Sequence, residues 1–232
     1  LVPIADTFLE SARAGVLAAK GTSHLLSPYK GKTLGTIVAR FFSNHMLGFD
    51  KDYTGYLNYY EGMILAVSIL TVFAVSYFIV KKSTRVKALV LTVFLVFLTI
   101  MPLTSRILVF TKHSYRWTFM ICFVEALVIG CFLQDVFREK NRKTVLAGSI
   151  LAIIICGGLL VWMYSFKNIK PDHKVTAGVI GFLAVYLILF AVGTSVKKMY
   201  RIFPAAVLLV LICELFVLDY PSLWHRESPT RN

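Results

Sequence analysis

Apolar residues gather along this chain into long runs divided by short polar connections, and the length of each run decides what it can be. A helix rises ~1.5 Å per residue and the hydrocarbon core of a bilayer is ~30 Å thick, so about 20 apolar residues suffice to cross it. Six stretches meet or approach that length: Gly62–Val80, Ala88–Val109, Trp117–Val136, Thr144–Phe166, Val175–Val196 and Ile202–Leu218. Each is expected to be helical, because lipid offers no partner to open backbone groups or sheet edges. The second carries Pro102 and Arg106 near one end, the third carries Glu125, and the sixth is short and holds Pro204 and Glu214, so their boundaries are softer. The expected fold is therefore all-α, a polytopic transmembrane helix bundle of about six spans over residues 62–219.

Residues 1–61 follow another pattern and form an N-terminal extracytoplasmic, interfacial segment. Within it Leu34, Ile37, Val38, Phe41 and Phe42 recur at helical spacing, while Lys32, Thr33 and Arg40 are polar. Such an amphipathic helix either lies flat on the membrane surface or packs into the core. The following "FDKDYTGYLNYYEG" supplies turn chemistry through Gly48, Asp50, Asp52, Gly55 and Asn58, and interfacial rings through its tyrosines. The first twenty residues read as the end of a preceding span, and the chain, which starts at Leu1, reads as a piece of a longer protein. Residues 220–232 read as an extracytoplasmic tail leading into a further domain.

Lysine and arginine between spans set orientation. The clusters "KKSTRVK" (81–87), "REKNRK" (138–143) and "KKMYR" (197–201) hold eleven basic residues, against six in or beside the connections at 112–116 and 167–174. The three rich loops are expected in the cytoplasm and the others outside. Composition agrees with a lipid environment: mean hydropathy is +0.72, with 57% hydrophobic and only 16% charged residues. A net charge of +13 would suggest nucleic acid in a soluble chain. Here the charge is broken into loop clusters, which points away from nucleic acid. Cys122, Cys131, Cys156 and Cys213 lie inside apolar runs without metal-binding or disulfide spacing and read as small buried hydrophobes.

Candidate chemistry is sparse. Glu125 lies well inside a span, and an intramembrane carboxylate ordinarily faces a bundle interior or a wet cavity and finds a partner. Glu214 lies near the end of the last span, where snorkelling to the interface is easy. The connection "TSRILVFTKHSYRW" concentrates Arg106, Lys112, His113, Tyr115 and Arg116, a cationic, aromatic mouth suited to a lipid phosphate or to interfacial anchoring. "DKD" at 50–52 is half of a divalent-metal site at most, and more often a turn. No phosphate-cradling loop, zinc-protease motif or nucleophile–base set is present, so no cofactor or metal is indicated.

The run "ARFFSNHMLGFDKDYTGYLNYYEGMILAVSIL", the later "HSYRWTF" and "ICELFVLDYP" resemble the bacterial YfhO family of multi-pass membrane proteins over nearly the whole chain. The most specific matches are Ser43, Asn44, Gly48, the Tyr-Gly and Tyr-Glu-Gly pairs around Gly55 and Gly62, and Arg116 with Trp117. The resemblance implies a GT-C-type glycosyltransferase in the bacterial plasma membrane. It would use a polyprenyl-phosphate-linked sugar, N-acetylglucosamine among the candidates, to decorate a cell-envelope polymer such as lipoteichoic acid on the outer face. Its catalytic base would be an aspartate in an outer loop preceding Leu1, so none is named. The candidate substrate-binding residues are Arg106, His113, Tyr115, Arg116, Asn44, Tyr59, Glu61 and Glu125. Two other classes stay open: a transporter or lipid flippase using Glu125 and Glu214, and a non-catalytic membrane scaffold.

Overall fold

In the computed structural model, which describes residues 27–48, 52–56, 68–101, 104, 119–139, 141–195 and 202–224, the elements are helices and turns. The helices are α1 (Gly31–Arg40), α2 (Leu70–Val80), α3 (Arg85–Ile100), α4 (Phe119–Glu139), α5 (Arg142–Tyr164), α6 (His173–Gly193) and α7 (Phe203–Trp224). An all-α membrane bundle is thus what the chain forms. Among the described residues three helices have both the length and the hydropathy to cross a bilayer, Met120–Arg138, Arg142–Tyr164 and His173–Gly193, with α2 and the Phe203–Leu218 stretch of α7 as shorter apolar helices.

Local chemistry sets the helix ends. Asn141 caps α5 by accepting from the Thr144 N–H at 3.3 Å, and Asp172 caps α6 by accepting from the Lys174 N–H at 2.7 Å. The helix of the second apolar stretch stops at Ile100, because the residue before Pro102 is driven out of the α region. Pro204 does not shorten the last helix. It occupies the first turn of α7, where no backbone donor is needed, and the helix runs to Trp224 rather than ending at Leu218. At Gly48 φ is +85°, and a Cβ there would meet the Asp52 carbonyl, so glycine is required for that turn.

The centre of the bundle is α2, which lies along α5 and α4 and touches α3; α5 also packs on α6, and α6 on α7. Its core is aromatic: Phe73, Tyr77, Phe132, Tyr186, Phe190 and Phe203 are fully buried, with ring centroids 5.2–5.7 Å apart for the pairs Tyr77–Phe132, Phe132–Phe190, Phe73–Phe190 and Phe190–Phe203. Apolar side chains also cover the outside. Val90, Val93, Phe94 and Phe97 of α3 are exposed, as are Leu208, Leu209 and Phe216 of α7. Lipid solvates such a surface as well as protein does. This is why only Cys156 is buried, while Cys131 and Cys213 point outward, contrary to the expectation for all four cysteines.

The two ends of the bundle differ. At the basic end, Lys81 at the end of α2 bonds Asp135 of α4 at 2.8 Å, and Arg138, Arg142 and Lys143 are exposed nearby in sequence. At the other, strapped end, residues 27–48 and 52–56 fold across the bundle. The Tyr29 N–H donates to the Ile100 carbonyl at 3.1 Å, the Asp172 N–H to the Met46 carbonyl at 2.7 Å, and Ser43 Oγ to the Leu218 carbonyl at 3.1 Å.

The amphipathic helix α1 belongs to this strap and is core-packed rather than flat on a membrane surface. Residues Gly35 to Arg40 are buried. The bare Cα of Gly35 lets the helix settle onto Phe166 and Ile169, where an added Cβ would come within 3.0 Å of both side chains. Arg40, which the periodicity assigns to the polar face, is consequently 3% exposed.

Candidate functional site

The two faces of α1 lead to the site. Ile37, Val38 and Phe41 wall a partly open cavity of about 320 Å³ that is bounded further by α2, α3, α4 and α5. From α2 it receives Thr71, Val72, Val75, Ser76 and Ile79, positions one helical face apart in register. From α4 it receives Ile121 and Glu125, the latter 3% exposed. The remaining walls are almost wholly aliphatic.

The depth of its polar groups follows from helical rise. Lys81 and Asp135 are bonded at the basic end; Thr71 lies ten residues before Lys81 on α2, and Glu125 ten residues before Asp135 on α4. At ~1.5 Å per residue both lie about 15 Å along their helices from that pair, well away from the basic end. The sequence-based expectation that Glu125 faces an interior cavity therefore agrees with its position.

Hydroxyls on the cavity wall fall into two kinds. Thr92 and Thr99 of α3 donate back to their own helix, at 2.7 Å to the Ala88 and Leu95 carbonyls, the usual way for a helical hydroxyl to satisfy itself in an apolar setting. Thr71 Oγ1 and Ser76 Oγ of α2 are buried and make no hydrogen bond among the described residues.

Next to the cavity, the C-terminal turn of α1 gathers polar side chains at the strapped end. Arg40 Nη2 donates to Tyr53 OH at 3.4 Å, and Tyr53 OH donates to the Tyr56 carbonyl at 2.9 Å. His45 is 6% exposed, its backbone N–H donating to Ser43 Oγ at 3.1 Å. Asn44 is half-buried, and its Oδ1 is enclosed without a partner among the described residues. A guanidinium held this far from water stabilises anions strongly, because little solvent competes for it.

A second carboxylate is buried elsewhere. Glu214 of α7 is 1% exposed and accepts from Ser68 Oγ at 2.5 Å, the Ile69 N–H at 2.7 Å and Tyr186 OH at 2.7 Å. It does not snorkel to an interface. The start of α2 lies inside the bundle, and its orphan N–H groups draw the carboxylate inward.

Of the eight candidate substrate-binding residues, Asn44 and Glu125 fall in the described structure, Asn44 on the strap and Glu125 on the cavity wall. Tyr59, Glu61, Arg106, His113, Tyr115 and Arg116 lie outside the described residues, as does Asp50; Asp52 is exposed in a turn. The sequence reading missed Arg40, Thr71 and Ser76. For Arg40 a signal existed, an arginine one position before the apolar Phe41 of an amphipathic helix, but periodicity alone assigns it to solvent. For the two hydroxyls none existed.

No curated protein and no solved structure matches this chain. A family model described as "Bacterial membrane protein YfhO" matches residues 22–225.

Proposed function

The chain belongs to the YfhO family of bacterial membrane proteins, and we propose that it is part of a membrane glycosyltransferase that takes its sugar from a polyprenyl-phosphate carrier. The acceptor is a cell-envelope polymer on the outer face, lipoteichoic acid being the type and N-acetylglucosamine the sugar. One observation carries this reading: α1 holds the buried guanidinium of Arg40 within one turn of the apolar residues Ile37, Val38 and Phe41. A lipid phosphate needs a desolvated cation for its head and, beyond it, an oily path for its chain, which the exposed apolar face of α3 offers. Arg106 and Arg116 complete the cationic site in this proposal, and Asn44, Tyr59, Glu61, His113 and Tyr115 contact the sugar and phosphate. The carrier chain runs in lipid along the exposed apolar face of α3, because a cavity of about 320 Å³ is far too small for it.

The test uses full-length protein in proteoliposomes with a radiolabelled polyprenyl-phosphate sugar and a glycerol-phosphate polymer. Arg40→Ala should lower transfer roughly ten- to a hundredfold, the worth of one hydrogen-bonded charge, while Arg40→Lys retains part of it. Wild-type protein that leaves the polymer unlabelled, or an Arg40→Ala variant that inserts normally and transfers at the wild-type rate, would refute the proposal. A transporter or flippase is the second reading, favoured by the buried Glu214 network between α2, α6 and α7. It predicts that Glu214→Gln abolishes lipid translocation in the same liposomes.

A further inference from the structure

The cavity between α1, α2, α3, α4 and α5 is elongated along the helices. Its wall runs from Thr71 to Ile79 on α2 and from Thr92 to Ile100 on α3, in each case about 12 Å by helical rise. Almost nothing polar faces this slot. Thr92 and Thr99 turn their hydroxyls back to the Ala88 and Leu95 carbonyls of their own helix, and Thr71 Oγ1 and Ser76 Oγ are enclosed in protein. Glu125, 3% exposed, shows it little of its carboxylate. Among the described lining residues only Val96 is exposed, at 49%, and the exposed Val93 and Leu89 lie one and two turns before it. The slot therefore opens on a face of α3 that meets lipid. An empty slot would forfeit the dispersion contacts of its walls, and water would find no hydrogen-bond partner in it.

We propose that this cavity binds one acyl chain of a bilayer phospholipid, which enters past Val96 and lies along α2. Two measures of size agree on the occupant. A dry cavity of ~150 Å³ accommodates benzene, so about 320 Å³ takes roughly a dozen carbons. An extended chain advances ~1.25 Å per carbon, so a slot of about 12 Å is the length of roughly ten. Both describe a single file of carbons, one chain and not two. Walls without accessible polar atoms cannot select among hydrocarbon chains, so the chain in greatest excess takes the slot by mass action. In a membrane that chain belongs to the bulk phospholipid rather than to a scarce carrier. Bound there, it completes the inner side of α3, which packs on α2 and α1, and links that helix to α4 and α5 across the slot. The site does not rest on the sugar-transfer reading.

The experiment reads contact with lipid, and no sugar donor is present. Full-length protein is placed in phosphatidylcholine nanodiscs with a trace of phosphatidylcholine that bears a diazirine near the end of one acyl chain. After photolysis, labelled residues are located by mass spectrometry. Helix α5 holds both readout and control, since Ile155 and Leu159 line the slot while Ile154 and Val161 are exposed on its outside. All four should be labelled in the wild type. Val75→Phe with Val96→Phe puts two rings into the slot and its mouth, so Ile155 and Leu159 should lose their label while Ile154 and Val161 keep it. Wild-type label confined to Ile154 and Val161 overturns the proposal, whether or not the variant inserts. Label on Ile155 and Leu159 that persists in a normally inserted variant overturns it too. Polyprenyl phosphate added at one molecule per protein should leave the pattern unchanged; loss of label from Ile155 and Leu159 at that ratio would assign the slot to the carrier and refute the phospholipid. A failed transfer assay leaves all of these outcomes untouched, so the two readings fail separately.

Discussion

Glu214 illustrates how one side chain answers a backbone problem. Because α2 begins inside the bundle, the N–H groups at its start need partners from the protein itself: those of Thr71 and Val72 bond the Ser68 and Ile69 carbonyls, and those of Ile69 and Leu70 turn to side chains. The carboxylate takes the Ile69 N–H, and Ser68 Oγ takes the Leu70 N–H at 2.9 Å while donating to the same carboxylate. Replacing Glu214 by Leu leaves three buried donors without their acceptor. At ~0.6–1 kcal/mol for each hydrogen bond in a membrane protein, the loss should be about 2–3 kcal/mol. Glu214→Gln, which keeps one acceptor oxygen, should lose less. Unfolding midpoints in mixed micelles check this, and coincident midpoints for Glu214→Leu and wild type would show that the network contributes nothing. The sequence discloses that a carboxylate stands in this span; its partners come from positions 28 and 145 or more residues away and no local pattern announces them.

At the scale of elements, the contact between α2 and α5 depends on small side chains. Gly148, Ala152 and Cys156 repeat every four residues on α5 and are buried. A Cβ at Gly148 would stand 2.8 Å from Tyr77 Cα and 3.0 Å from its N, atoms that cannot swing aside as a side-chain tip can. Gly148→Ala should therefore destabilise by about 1–3 kcal/mol through overpacking. Gly157 has nothing within 4 Å of its would-be Cβ, so Gly157→Ala serves as the control and should be neutral or slightly stabilising. Thermal unfolding of both variants in the same detergent decides, and equal effects would remove the special role of Gly148. Helix α1 teaches the complementary point. Its apolar face is readable from Leu34, Ile37, Val38 and Phe41, yet a bilayer surface and a bundle wall are equally oily, so periodicity leaves both options. Gly35, by admitting Phe166 and Ile169, decides between them.

For the whole molecule, the helix order brings the basic loops at 81–87 and 138–143 to one end and the strap to the other, and the bias of lysine and arginine leads us to propose that the basic end faces the cytoplasm. Single cysteines at the exposed positions Lys143 and Lys170, in a chain whose four native cysteines are replaced, test this orientation. A membrane-impermeant maleimide on intact cells should modify position 170 and reach position 143 only after permeabilisation; the opposite pattern would invert the orientation and move Arg40 to the wrong side for transfer outside the cell. The sequence by itself determined that the chain is helical and lies in a membrane, where the third, fourth and fifth runs begin and end to within three residues, and which connections are basic, because those properties follow from hydropathy, helical rise and caps close in sequence. The tertiary structure alone decided that Arg40 and Glu214 turn inward, that Gly148 meets a backbone, and that Thr71, Ser76 and Glu125 share a cavity. In lipid every apolar face is equally content with lipid or protein, so the choice of partner rests on shape and on hydrogen bonds between distant residues, and neither is written in the local pattern.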